Sequence, residues 1–154
     1  MSDANLPPAF GFAGFSPELL VSDLARSLAF WRDLCGFAVA YERPEESFVY
    51  LDRDGLQIML KELGSPTRAW MDADLEMPFG RGVNFQFRID DVDRLAAIFA
   101  AAGWPLTLAL EDKSYRIGDG AVVVRQFAAR DPDGYLVRFS RHTESGDRSE
   151  SALA

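Results

Sequence analysis

The chain has 154 residues, 48% of them hydrophobic and 26% charged, with a formal charge of −8 at pH 7. That length supports one domain with a real core, or two small modules sharing one, and the acidic balance excludes nucleic acid as a partner, because phosphate contacts need a basic surface. A single cysteine, Cys35, excludes both an intramolecular disulfide and a thiolate metal cage.

The first segment, "MSDANLPPAF", has neither a basic start nor an apolar stretch, so no secretory signal is read there. No apolar run reaches the roughly 18 residues of a membrane span, and a cytoplasmic location is the default expectation. Residues 1–12 are expected to form a disordered arm. A strand-like "SPELLV" (16–21) follows, then "VSDLARSLAFWRDLCGF" (21–37). The pair Ser22-Asp23 suits a helix start, Leu24, Leu28 and Trp31 recur at helical spacing, and Gly36-Phe37 suits a helix stop. Cys35 lies in this helix beside apolar residues, the setting of a buried, inert thiol. Further strands close on the turn of "DRDGLQIML" (52–60).

Between residues 64 and 82 runs "GSPTRAWMDADLEMPFGRG", a connector of a length that is often functional. Trp70 and Met71 within it are costly to leave in water and are expected to cover a cleft, a partner or the core. The pattern then starts again. A strand "NFQFRI" (84–89) leads into "IDDVDRLAAIFAAAGW" (89–104), with Asp90-Asp91 at the start, Val92, Leu95 and Phe99 along one face and Gly103-Trp104 at the stop. More strands close on "DPDGYLVRF" (131–139), whose Asp131 and Asp133 are explained by turn chemistry rather than as a catalytic carboxylate pair. Residues 143–154 read as a disordered tail.

The chain is therefore an internal repeat with an offset of about 68 residues. Each half reads strand, helix and about three strands. The fold class is α+β, with two β-α-β-β-β modules making an eight-stranded mixed sheet curled around a cleft, helices outside. Module one spans 13–63 and module two 83–142, within a single domain 13–142.

Strand alternation assigns faces. Val83, Phe85, Phe87 and Ile89 form an apolar face that must pack under a helix, so Asn84, Gln86 and Arg88 point the other way. The repeat maps Ser16, Glu18 and Leu20 onto those polar positions, and Met59 onto Arg138. The inner wall is thus expected to carry Ser16, Glu18, Gln57, Met59, Asn84, Gln86, Arg88 and Arg138. It is either a ligand lining or a merely solvated sheet face.

The repeat, together with "VSDLARSLAFWRDLCGF", "FRIDDVDRLAAIFAAAG" and "RQFAARDPDGYLVRF", resembles the vicinal oxygen chelate superfamily, the glyoxalase/bleomycin-resistance fold, over about residues 15–141. The phrase "RQFAARDPDG" is most similar to its bleomycin-resistance branch. The resemblance implies a divalent-metal site in the enzymatic relatives, at positions that correspond here to Ser16, Asn84, Met59 and Arg138. A metal that activates water needs His and carboxylate ligands, and none stands at these places. The sole histidine, His142, falls at the end of the last strand. No cofactor and no metal are expected.

What the resemblance then implies is a metal-free binding protein that sequesters a cationic or aromatic small molecule in the cleft of a homodimer. Tyr41, Phe48 and Trp70 fall in segments that supply stacking aromatics in the family. Val123 stands where drug-binding members often carry a tryptophan. The alternative is an atypical enzyme of the superfamily, a lyase, isomerase or dioxygenase-like protein, in which Glu18 acts as general base and Arg138 or Arg88 clamps an anionic substrate. A third reading uses the groove to bind another protein. No membrane partner is expected.

Overall fold

The computed structural model describes residues 6–143. The eight expected strands are all present, divided between two four-stranded mixed sheets. In the first half, β1 (Glu18–Val21) leads to α1 (Leu24–Leu28), which continues as a π-helical segment, Ala29–Leu34. Then come β2 (Ala38–Arg43), β3 (Phe48–Arg53) and β4 (Leu56–Glu62). The second half repeats this as β5 (Asn84–Arg88), α2 (Val92–Ala101), β6 (Leu106–Ile117), β7 (Gly120–Arg130) and β8 (Leu136–Thr143). The strand orders are β1-β4-β3-β2 and β5-β8-β7-β6. In each, the first strand pairs in parallel with the last and the others form antiparallel hairpins. The repeat read from the sequence is thus a repeat of topology.

Two compact units divide the chain. One runs up to Val83 and also takes Asp131–Tyr135; the other holds Asn84–Arg130 and the chain from Leu136 onward. The short turn between β7 and β8 therefore belongs to the first unit although its flanking strands belong to the second.

Within the first unit, Asp23 caps α1 by accepting from the Arg26 amide at 3.0 Å. The helix then widens: the Cys35 amide reaches back five residues to the Phe30 carbonyl at 2.9 Å. The adjacent rings of Phe30 and Trp31 are both fully buried there, edge to face at 5.2 Å. Leu19, Val21, Val49, Leu51, Ile58 and Leu60 complete this core, each such side chain contributing about 1.5–3 kcal/mol by leaving water. In the second unit Phe99 of α2 packs on Phe127 and Phe139, with Leu95 and Val92 beside it.

Of the apolar face expected at 83–89, Phe87 and Ile89 are buried but Val83 is exposed, because it precedes the strand and lies outside its pairing. The arm was expected to be disordered. Residues 1–5 lie outside the described residues, but from Leu6 onward the arm has defined partners: the Leu6 amide donates to the Ala40 carbonyl, and Gly11 and Ala13 are held by Gln57. At the other end Thr143 completes β8, and the rest of the expected tail falls outside the described residues. No helix among the described residues is long and apolar enough to cross a membrane.

Candidate functional site

The first sheet has two faces. Ile58 and Leu60 of β4 and Val49 and Leu51 of β3 pack into the core, so their alternating neighbours occupy the other face. Register places these neighbours side by side: Lys61 opposite Phe48, Met59 opposite Tyr50, and Gln57 opposite Asp52. Glu18 of β1 stands beside Met59. On β2, Tyr41 stands beside Tyr50 and Arg43 beside Phe48.

Two chain segments cover the ends of this face and leave a hollow between them. At one end lies the arm. Gln57 is buried and its amide is fully engaged: its oxygen accepts from the Ala13 amide at 2.7 Å and from the Tyr50 hydroxyl at 2.5 Å, and its nitrogen donates to the Gly11 carbonyl at 2.8 Å and to Asp52 at 2.9 Å. Phe12 sits edge-on to Tyr50 and Tyr41 at 5.6 and 6.3 Å. At the other end lies the start of the connector. The Lys61 ammonium donates to the Thr67 hydroxyl and to the Arg68 carbonyl, each at 2.6 Å.

Between these ends is a cavity of about 350 Å³, lined by Glu18, Tyr41, Arg43, Glu46, Phe48, Met59, Lys61, Thr67, Arg68 and Trp70. Its walls are aromatic and cationic together. Tyr41 stacks on Tyr50 at 5.0 Å and tilts against Phe48 at 6.0 Å. The Arg43 guanidinium lies 3.9 Å from the Phe48 ring centre and pairs with Glu46 at 3.0 Å. Arg68 lies 4.8 Å from the ring centre of Trp70, which is otherwise exposed.

Of the residues expected at the site, the cavity thus brings together Glu18, Tyr41, Phe48, Met59 and Trp70. Gln57 shares their sheet face but lies outside the cavity lining, its oxygen and nitrogen engaged by the arm, Tyr50 and Asp52. Arg43, Glu46, Lys61, Thr67 and Arg68 were missed. Alternation alone could have found Lys61, two residues beyond Met59 on β4, and Arg43, two beyond Tyr41 on β2.

The remaining four expected residues belong to the second sheet and form a row of their own. Arg138 donates to the Asn84 and Gln86 side-chain oxygens, both at 2.8 Å, and Gln86 donates to the Ser140 hydroxyl at 2.9 Å. Arg88 is exposed at the end of β5. The Arg138 charge is therefore held by neutral amides along its own sheet.

The turn Asp131–Gly134 does more than reverse the chain. Asp131 accepts from the Asp133 and Tyr135 amides, both at 2.9 Å, and from the indole of Trp31 at 3.2 Å. Burial outweighs these bonds and pushes the Asp131 carboxyl up to about 6. Asp133 holds the Ser22 amide at 3.0 Å and its hydroxyl at 2.5 Å, at the start of α1. The Tyr135 hydroxyl donates to the Leu20 carbonyl at 2.8 Å, and burial raises it to about 12. All of these groups sit inside the first unit, so the carboxylate pair is structural. Cys35 is fully buried, which pushes its thiol well above the usual range and leaves no nucleophile there.

The donors at the metal-corresponding positions do not suit a hard divalent ion. Met59 offers a thioether, Arg138 a fixed cation, and the Asn84 oxygen already accepts from Arg138. Among the described residues no group of three or more His, Cys, Asp or Glu side chains could hold a metal. His142 is exposed on β8.

Two four-stranded sheets of the same strand order, each backed by a helix that follows its first strand, define a tandem-module protein of glyoxalase-like fold. The sequence pattern of the Glyoxalase/Bleomycin resistance protein/Dioxygenase superfamily matches residues 15–139, and the chain belongs to that superfamily. Solved structures of the same fold include TioX from Micromonospora sp. ML1, with 24% identity, 85% of this chain and 99% of that one covered, and a TM-score of 0.64. A glyoxalase/bleomycin resistance protein/dioxygenase from Alicyclobacillus acidocaldarius is 20% identical, with 84% and 91% covered and a TM-score of 0.59. Lactoylglutathione lyase from Agrobacterium tumefaciens is 23% identical, with 88% and 95% covered and a TM-score of 0.53. At these identities the likeness is one of fold. No match is found among curated proteins.

Proposed function

We propose that this chain is a small-molecule binding protein that works without a metal, holding a compact aromatic ligand in the cavity of its first sheet. The observation that carries this reading is the cavity wall: Tyr41, Phe48, Met59 and Trp70 converge on one hollow with the charged groups of Glu18, Arg43, Glu46, Lys61 and Arg68. Aromatic surface beside placed polar and charged groups suits a small molecule that has both a ring and a polar end. Trp70 has much of its ring in water, which a stacked ligand would relieve. The donor chemistry at Met59, Asn84 and Arg138 supports binding without a metal.

At about 350 Å³ the cavity lies near the lower end of the roughly 300–1,000 Å³ range of ligand pockets. One or two fused rings fill a volume of this size. A homodimer remains part of the proposal, on the family resemblance, and sedimentation of the purified chain at micromolar concentration would check it.

The test is a tryptophan-fluorescence titration with neutral naphthalene derivatives in the presence and absence of EDTA. Saturable binding that is indifferent to EDTA and weakened in Trp70→Ala is expected. Binding that needs an added divalent ion, or silence across the panel, would remove the reading.

A further inference from the structure

The cavity holds a charge that its own residues do not balance. Lys61 is only 5% exposed. An ammonium carries three donor hydrogens, and two of them go to neutral oxygens, the Thr67 hydroxyl and the Arg68 carbonyl. No carboxylate among the described residues lies within ion-pair distance of it. A buried cation is ordinarily paired, because desolvation without a counter-ion is costly. Here the third donor is left at a wall of an aromatic-lined hollow.

The other charges of the lining sharpen the point. Arg43 and Glu46 pair with each other at 3.0 Å and cancel. What remains is Lys61 and Arg68 against Glu18. Glu18 stands beside Met59 in the register, not beside Lys61, and is partly in water, where its charge is screened. The balance inside the hollow is thus one positive charge, in a chain whose formal charge is −8. This is a local placement of charge, not a sample of a generally basic surface.

We propose that the ligand of this cavity is an anion, a small aromatic carboxylate whose charged end takes the free donor of Lys61 while its ring lies against Tyr41, Phe48 and Trp70. This rests on the aromatic-binding reading above and reverses the ligand charge expected from the sequence. A carboxylate supplies the missing counter-ion through a charge-assisted hydrogen bond, and Arg68, next to Trp70, is the second cation within the lining. A ligand ammonium would instead add to an uncompensated positive charge, with only the screened Glu18 to offset it.

Three compounds of one shape test it: 2-naphthoate, 2-naphthamide and 2-naphthylmethylammonium, titrated into the full chain by fluorescence and calorimetry. Naphthoate is expected to bind about tenfold more tightly than the amide, the worth of one charged hydrogen bond, with the ammonium weakest. Lys61→Met should erase the preference for the acid over the amide. Should that variant not fold, the ranking on the unaltered chain decides alone. An amide or ammonium that binds as tightly as the acid would overturn the anion assignment and leave aromatic binding standing. No binding by any of the three would remove the aromatic reading, and this inference with it.

Discussion

The two sheets share a strand order and a core plan but differ on the face turned away from their helices. In the first sheet that face is a hollow, covered at one end by the arm on Gln57 and at the other by the connector on Lys61, with aromatic rings between. In the second, the corresponding strands carry a row of amides that accept hydrogen bonds from Arg138 within the sheet. Met59 and Arg138 occupy the same place in the two repeats, each paired with the first strand of its own module, at Glu18 and at Gln86. Duplication has kept the packing face because burial tolerates little change in volume or polarity. The other face was free to diverge, since its polar residues need only partners, and these can come from the sheet itself or from added chain.

The shared core is the first thing to break. Trp31→Ala and Phe99→Ala each empty a site of zero exposure under the helix of one unit, and each should cost about 3–5 kcal/mol in urea denaturation. A much smaller loss for one of them would show that the two cores are not equivalent.

The next effect belongs to the first unit, where Asp131 is buried against the indole of Trp31. Its carboxyl is raised to about 6 in the folded protein from an ordinary 3.8. A raised pKa means that folding favours the protonated form. This contribution to stability is fully present below the unfolded value and is lost as pH rises through 6. Relative to Asp131→Asn, the unaltered chain should therefore lose about 3 kcal/mol between pH 3.5 and 7. A parallel pH dependence of the two proteins would show that burial does not dominate at this carboxyl.

Gln57→Ala removes four hydrogen bonds, two that hold the arm at Gly11 and Ala13 and two that join Gln57 to Tyr50 and Asp52 within the first sheet. A loss of about 2 kcal/mol is expected, with faster proteolysis confined to residues 6–15. Unchanged cleavage there would mean that the arm is held by Phe12 alone. Tyr41→Ala should weaken naphthalene binding about tenfold, the worth of one ring contact. Arg138→Ala should leave that binding within about twofold and cost under ~1 kcal/mol of stability, since its partners are neutral and close to water. An Arg138 effect equal to that of Tyr41 would move the binding face to the second sheet.

Much of this was legible in the sequence. The apolar spacing of Leu24, Leu28 and Trp31, matched by Val92, Leu95 and Phe99, is a property of local periodicity, and it carried the tandem architecture and the core. Alternation along "LQIML" and "YLVRF" sorted Met59 and Arg138 onto the face opposite the core. These readings hold because a strand has a period of two and a helix one of 3.6 whatever surrounds them. Tyr41, Phe48 and Trp70 were named as stacking candidates from the family resemblance, not from any period.

What only the tertiary structure decided is which polar groups are already used. Gln57 and Lys61 sit on one strand face four residues apart, alike in pattern. Chain returning from residues 11–13 completes the amide of Gln57 that Tyr50 and Asp52 half satisfy, whereas chain from residues 67–68 leaves one donor of Lys61 open. Likewise Asp131 and Asp133 read as a simple turn, yet they anchor Trp31 and Ser22 about a hundred residues away. Hydrogen-bond satisfaction depends on partners that distant chain supplies, and no local pattern encodes it.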